Sequence, residues 1–157
     1  MKSEPAVYGI DDLARAPGQT DRWDGIRNYQ VRNWLRDVVQ VGDRGLFYHS
    51  NTRPPAVVGL VTVTRGGYPD PTAFDPQDPY HDPKSDPQSP RWFAIDVQLQ
   101  RYLKRPIPLG ELRAAADGLG DFPLLRRGNR LSIIPVTFAQ WQTILALENQ
   151  APFGVSQ

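Results

Sequence analysis

A chain of 157 residues, 39% apolar and 22% charged, is long enough for one domain with its own core and ordinary in composition. No apolar run approaches the roughly 18 residues of a membrane span, and no secretory leader follows Met1. The absence of cysteine excludes disulfides, thiolate metal sites and cysteine nucleophiles.

Only His49 and His81 are available as imidazole ligands, so no metal or cofactor is expected. A cytoplasmic protein is expected, with a monomer favoured. The net charge of +1 is too small to announce nucleic-acid binding, but its distribution is uneven. Residues 15–65 and 91–130 each carry +4, whereas residues 66–90 carry −4. Fifteen of the eighteen basic residues are arginine, which forks onto phosphates and stacks on bases. Solvated surface charge explains the same bias.

Ile10, Leu13 and Ala14 stand at helical spacing and predict a short helix ended by Pro17-Gly18. Val31, Trp34, Leu35, Val38 and Val39 form one apolar stripe, an amphipathic helix closed by Gly42. Residues 45–50 and 57–63 read as strands around the Asn51-Thr52-Arg53-Pro54-Pro55 turn. Residues 66–90 read as a long loop: seven of the sixteen prolines lie between Pro69 and Pro90. Its Tyr68, Phe74, Tyr80 and His81 predict that it is ordered and packs back. Its aspartates (Asp70, Asp75, Asp78, Asp82 and Asp86) read as solvated caps of turns. Phe93, Ile95, Val97 and Leu99 alternate with polar or small residues as a half-buried strand. Leu109, Leu112 and Ala116 mark a short helix, and residues 132–134 a last strand. Thr137 and Gln140 form a capping box, with Val136 and Trp141 as its hydrophobic staple. Phe138, Trp141, Ile144, Leu145 and Glu148 continue as an amphipathic helix. Mixed elements without strict βαβ alternation indicate α+β, with residues 1–148 as the domain and 149–157 as a tail.

No dinucleotide, P-loop or zinc-protease motif is present. His49 cannot serve Ser50, because neighbours on a strand face opposite ways, and it reads as a structural histidine. Trp23-Asp24-Gly25-Ile26-Arg27-Asn28-Tyr29-Gln30 is more informative. Trp23 fits either the core or one wall of an aromatic pocket, with Asp24 and Asn28 supplying hydrogen bonds.

That segment, together with Lys2-Ser3-Glu4-Pro5, Phe47-Tyr48-His49-Ser50-Asn51, residues 68–75, Tyr80-His81-Asp82-Pro83-Lys84-Ser85, Pro90-Arg91-Trp92 and residues 130–136, resembles the EVE domain family. The resemblance runs from Met1 to about Leu147. It implies a PUA-like, partly closed β-barrel of about five or six strands with helices around it, similar to the YTH domain. It also implies a base pocket with Ser3 and Glu4 at one rim, Trp23 as stacking wall and Asp24 beside it. Tyr48, Ser50 and Asn51 would come from a central strand, and Phe74 and Tyr80 would close the other side. Family members usually carry a short apolar strand before Lys-Ser-Glu-Pro, so the native start is expected a few residues upstream of Met1.

The expected function is non-catalytic reading of a modified base, either a methylated or hydroxymethylated cytosine or N6-methyladenine. The base would sit in single-stranded or flipped-out DNA or RNA. Arg22, Arg27, Arg32, Arg53 and Arg91 are the expected phosphate ligands. Two competing readings are a hydrolase or deaminase of modified nucleosides, using Asp24, Glu4 or Lys2, and a protein-interaction module docking through the proline-rich loop.

Overall fold

The computed structural model describes residues 1–152; the last five residues of the expected tail lie outside the described residues. The fold is α+β, a mixed five-stranded sheet with helices, its strands in the order β1-β3-β4-β5-β2. These are β1 (Lys2–Ser3), β2 (Thr20–Trp23), β3 (Arg44–His49), β4 (Ala56–Pro69) and β5 (Phe93–Pro108). β1 runs parallel to β3, with Lys2 opposite Tyr48 and Ser3 opposite His49. β2 runs antiparallel to β5, with Trp23 opposite Ile95. The sheet does not close on itself, so the barrel is partial.

The chain forms two compact units. The first comprises Met1–Ile10, Leu46–Leu60 and the chain from Arg101 onward; the second comprises Asp11–Gly45 and Val61–Gln100. β3, β4 and β5 each contribute to both.

The first unit is built on one apolar cluster. Leu46, Val57 and Leu60 from the strands meet Leu112 of α3 (Leu109–Ala114), Leu119 of α4 (Ala116–Leu119) and Ile144 and Leu147 of α5 (Phe138–Leu147). α5 begins as its sequence dictates. The Thr137 hydroxyl accepts from Gln140 N, and the Gln140 side chain accepts from Thr137 N, at 3.1 and 2.9 Å. Val136 and Trp141 pack against the same cluster. Phe138, expected on the apolar face, is 75% exposed; Leu147 takes the buried place one turn beyond Ile144. Two carboxylates are buried with partners: Glu111 in a two-pronged pair with Arg105 (2.8 Å each), and Glu148 with Arg101 (2.9 Å).

In the second unit, α1 (Ile10–Arg15) starts at the boundary and buries Leu13 completely, while α2 (Tyr29–Asp37) buries Val31 and Leu35. The Asn28 side chain caps α2 by accepting from Val31 N at 3.0 Å. α2 ends at Asp37, earlier than its apolar stripe suggests, and Val38 is left exposed. β4 packs closely on this end of the helix. A Cβ on Gly67 would come within 2.2 Å of Leu35 O, so only glycine lets this strand pass so close to the helix backbone.

The fold departs from the sequence expectations at four further places. β4 continues through Gly66 and Gly67 to Pro69, so the loop begins later than its composition implies. β5 runs on to Pro108, well past the alternating stretch. Thr20–Trp23 is a strand where the sequence shows none. Residues 132–134 are not a strand; Ser132 only accepts one bond, from Lys2 N at 2.8 Å, and Pro135 offers no donor to extend a ladder.

Candidate functional site

Trp23 ends β2, and its indole is half-buried rather than sealed into a core. The turn that follows is held by Asp70, whose side chain is fully buried. Asp70 accepts from Gly25 N (3.0 Å), Arg27 Nη1 (2.8 Å), Thr72 N (2.9 Å) and Thr72 Oγ1 (2.6 Å). Burial alone would push the Asp70 carboxyl up; the bonds from Arg27, Thr72 and Gly25 outweigh it and hold the pKa below the ordinary carboxylate value. One consequence is chemical. Asp24, beside Trp23, is left with one oxygen on Arg22 Nε (2.6 Å) and the other without a partner among the described residues.

Tyr80 is brought onto this turn. Gly25 has φ +72°, and a Cβ there would stand 2.7 Å from the Tyr80 ring, so the aromatic face lies directly on the glycine backbone. Arg27 fixes the approach. Its five N–H donors go to Tyr80 O (twice), Ile26 O, Asp70 and Thr72, and its guanidinium lies 5.6 Å from the Tyr80 ring centre. Tyr80 itself is 47% exposed, and Phe74, at the end of the short helical turn Pro71–Phe74, is half-buried.

The loop carrying Tyr80 is ordered by repetition. In Asp70-Pro71-Thr72, Asp75-Pro76-Gln77, Asp78-Pro79-Tyr80, Asp82-Pro83-Lys84 and Asp86-Pro87-Gln88, each aspartate accepts from the backbone N–H two residues on, at 2.8 to 2.9 Å. Two of these aspartates are not the solvated caps expected. Asp70 is the buried clamp described above. Asp82 accepts from Trp92 Nε1 at 2.7 Å, and that bond, with the Lys84 amide and the nearby Arg91, draws its pKa down. Trp92 is buried and stacks at 4.9 Å on Tyr29, over which Arg32 lies at 4.9 Å.

The remaining expected pocket residues belong to the first unit. Ser3 Oγ donates to Tyr8 O at 2.6 Å, and Asn51 donates to Glu4 at 3.1 Å. Ser50 N donates to Ser3 O at 2.8 Å, which ties the residue just beyond β3 to the start of the chain. Ser50 and Asn51 therefore follow the strand rather than lie in it. Tyr48 is 5% exposed. His49 Nε2 accepts from Ile10 N at 3.1 Å, which requires the neutral ring protonated on Nδ1, as a structural histidine would be.

Several expected roles shift. Asn28 spends its carbonyl oxygen on the α2 cap. Arg27 has no donor left for a phosphate, because Asp70, Thr72 and two carbonyls use all five. Arg22 is paired with Asp24, Arg91 lies 3.4 Å from Asp82, and Arg32 donates to Arg91 O at 2.7 Å; Arg53 is exposed. The sequence reading took Asp70 for a solvated turn cap; it does cap the Pro71–Phe74 turn, but its burial and its bonds to Gly25 and Arg27 were missed. It also missed a basic hollow of about 220 Å³ in the first unit, lined by Lys2, Tyr48, Asn51, Arg113, Arg126 and Arg127 among others. Among the described residues, no group of three His, Cys, Asp or Glu side chains could hold a metal ion.

The EVE domain profile matches residues 1–147. Thymocyte nuclear protein 1 of zebrafish is 41% identical over 97% of this chain and 72% of its own length, and the human protein 40% identical over 97% and 74%. A crystal structure from Pseudomonas putida superposes with a TM-score of 0.88 at 47% identity, covering 94% of this chain and 97% of that one. The structure of human THYN1 in complex with 5-methylcytosine-containing DNA superposes with a TM-score of 0.91 at 39% identity, covering 97% of each chain. A family profile that matches residues 1–147, with relatives about 40% identical along nearly the whole chain, shows that this protein belongs to the EVE domain family.

Proposed function

We propose that this protein is a non-catalytic reader of a modified base in DNA, with 5-methylcytosine as the preferred target. The observation that carries this is Trp23, half-exposed at the end of β2 on a turn whose backbone Asp70 locks. An immobile indole stacks on a base without a large ordering cost, and such stacking contributes about 1–3 kcal/mol with little regard to base identity. Identity then needs a fixed polar partner. A carboxylate accepts from the exocyclic amine of cytosine, and the free oxygen of Asp24 offers that acceptor. The relative bound to 5-methylcytosine DNA supports the same choice. Because unstacking a base costs a few kcal/mol, the target is a single-stranded or flipped-out nucleotide.

The methyl group alone contributes about 0.8 kcal/mol when buried, so discrimination of at least about fourfold over cytosine is expected. The test is fluorescence anisotropy with short oligonucleotides carrying one cytosine or one 5-methylcytosine. The wild-type protein binds the methylated strand more tightly and releases no altered nucleoside. Trp23→Ala retains its fold and loses about 1–3 kcal/mol of affinity. Equal affinity of Trp23→Ala and wild type overturns the reading.

A further inference from the structure

The hollow in the first unit is chemically one-sided. It has a volume of about 220 Å³ and is open to solvent. Lys2, Arg113, Arg126 and Arg127 line it, and no aspartate or glutamate does. In a chain with 18 basic and 17 acidic residues, four cations and no acid around one depression is a marked local excess.

Its walls are held in place. Asn129 Nδ2 donates to Pro123 O (2.9 Å), and its Oδ1 accepts from Leu131 N (2.8 Å), which fixes the loop carrying Arg126 and Arg127. Lys2 Nζ donates to Asn129 O at 2.9 Å, leaving two of its three donors. Arg126 is paired with Asp121 outside the hollow. Arg113 and Arg127 have no hydrogen bond or ion pair among the described residues.

The floor supplies a further, neutral donor. The Tyr48 ring is largely buried, and its hydroxyl, which makes no hydrogen bond among the described residues, is not a buried atom and meets solvent. Tyr48 and Arg113 both line the hollow, and the charge of Arg113 opposes the rise that burial gives the Tyr48 pKa. A phenol O–H, two unpartnered guanidinium groups and an ammonium converge on a space too small for a drug-sized ligand and without acidic competition. A tetrahedral anion with several acceptor oxygens satisfies all of them.

We propose that this hollow binds a phosphodiester of the DNA strand, so that Arg113, Arg127 and Lys2, with Tyr48 as a neutral donor, form the phosphate contact of the reader. The inference builds on the DNA-binding reading but uses different residues from the base site, so the two fail separately. A contact of this kind carries no sequence information and adds to affinity uniformly.

The experiment uses the full chain, fluorescent single-stranded oligonucleotides with one cytosine or one 5-methylcytosine, and salt from 50 to about 400 mM. It compares wild type with the double variant Arg113→Gln/Arg127→Gln. A control variant, Arg15→Ala/Lys104→Ala, removes the same charge from exposed positions outside the hollow. The Gln variant is expected to bind both oligonucleotides roughly tenfold more weakly near 150 mM salt, and to reduce the slope of log K against log salt by about 1.4. The methylation preference stays unchanged, and the control variant moves neither quantity as far. Melting temperatures equal to wild type confirm folding. An unchanged slope in the Gln variant, or an equal loss in the control, overturns the phosphate site even if methylated DNA is still preferred. Salt-dependent binding through Arg113 and Arg127 with no methylation preference keeps this site and overturns the base reading.

Discussion

Asp70 shows how much a single side chain organises. Its four accepted bonds tie residues 25, 27 and 72 together, and two of those flank the turn that presents Trp23. Asp70→Asn keeps the shape and removes the charge, leaving the Arg27 guanidinium, 23% exposed, without its ion partner. Breaking such a pair from one side costs about 3–5 kcal/mol. The sign of its pH dependence is fixed by the depressed pKa. The folded state binds the proton less readily than the unfolded chain, so Asp70 stabilises fully above about pH 4 and loses that contribution as pH falls below 3.8 through the folded value. Urea denaturation should show a large deficit for Asp70→Asn at pH 7 that narrows toward pH 2.5. A deficit that stays constant with pH would show that the charge is not what matters.

The loop of residues 70–92 behaves as an element although its regular structure amounts to the short helical turn Pro71–Phe74 and one isolated bridge, Asp86 to Ser89. Five Asp-Pro-X turns in succession satisfy backbone donors locally, and proline removes others, so a chain of this composition stays ordered with very little secondary structure. Asp82 is the turn that also reaches outward, to the buried Trp92. Asp82→Ala deletes the acceptor for both the indole N–H and the Lys84 amide. The expected result is faster tryptic cleavage after Lys84 and faster exchange of the Lys84 amide, with a lower melting temperature. Unchanged cleavage would mean that the other four turns hold the loop without it.

The same loop shows where sequence was readable and where it was not. The apolar stripe of α2, the capping box of α5 and the alternation of residues 93–99 are local signals, and each marks a real element. Thr20–Trp23 has too few residues for a period, and Gly66-Gly67 looks like a turn until Leu35 O is seen to need that space. In the site, Trp23 and Tyr80 were reachable through family resemblance. Asp70 was not, because an aspartate before proline reads as a surface cap and its partner Gly25 is 45 residues away. The basic hollow was hidden for a related reason. Lys2, Arg113 and Arg126-Arg127 come from three distant stretches, and the only trace was the +4 balance of residues 91–130.

Across the whole chain, connectivity sets how stability is shared. The polypeptide passes between its two units four times, once at the start of α1 and three times within β3, β4 and β5. Melting either unit therefore breaks strand backbone that the other unit also uses, so the two should unfold together. Ile144 tests this, since it is fully buried on α5 in the cluster with Leu112, Leu119 and Phe122. Ile144→Ala should cost about 3 kcal/mol through lost burial and the cavity left behind. For a chain of this length that is a fall of about 6–12 °C in melting temperature. With fluorotryptophan incorporated, Trp141 reports on the first unit and Trp23, Trp34 and Trp92 on the second. All four resonances should shift to the same lower midpoint in Ile144→Ala. If only Trp141 melts early while the other three keep the wild-type midpoint, the units are thermodynamically separate, and the strands shared between them do not couple the phosphate hollow to the turn that holds Trp23.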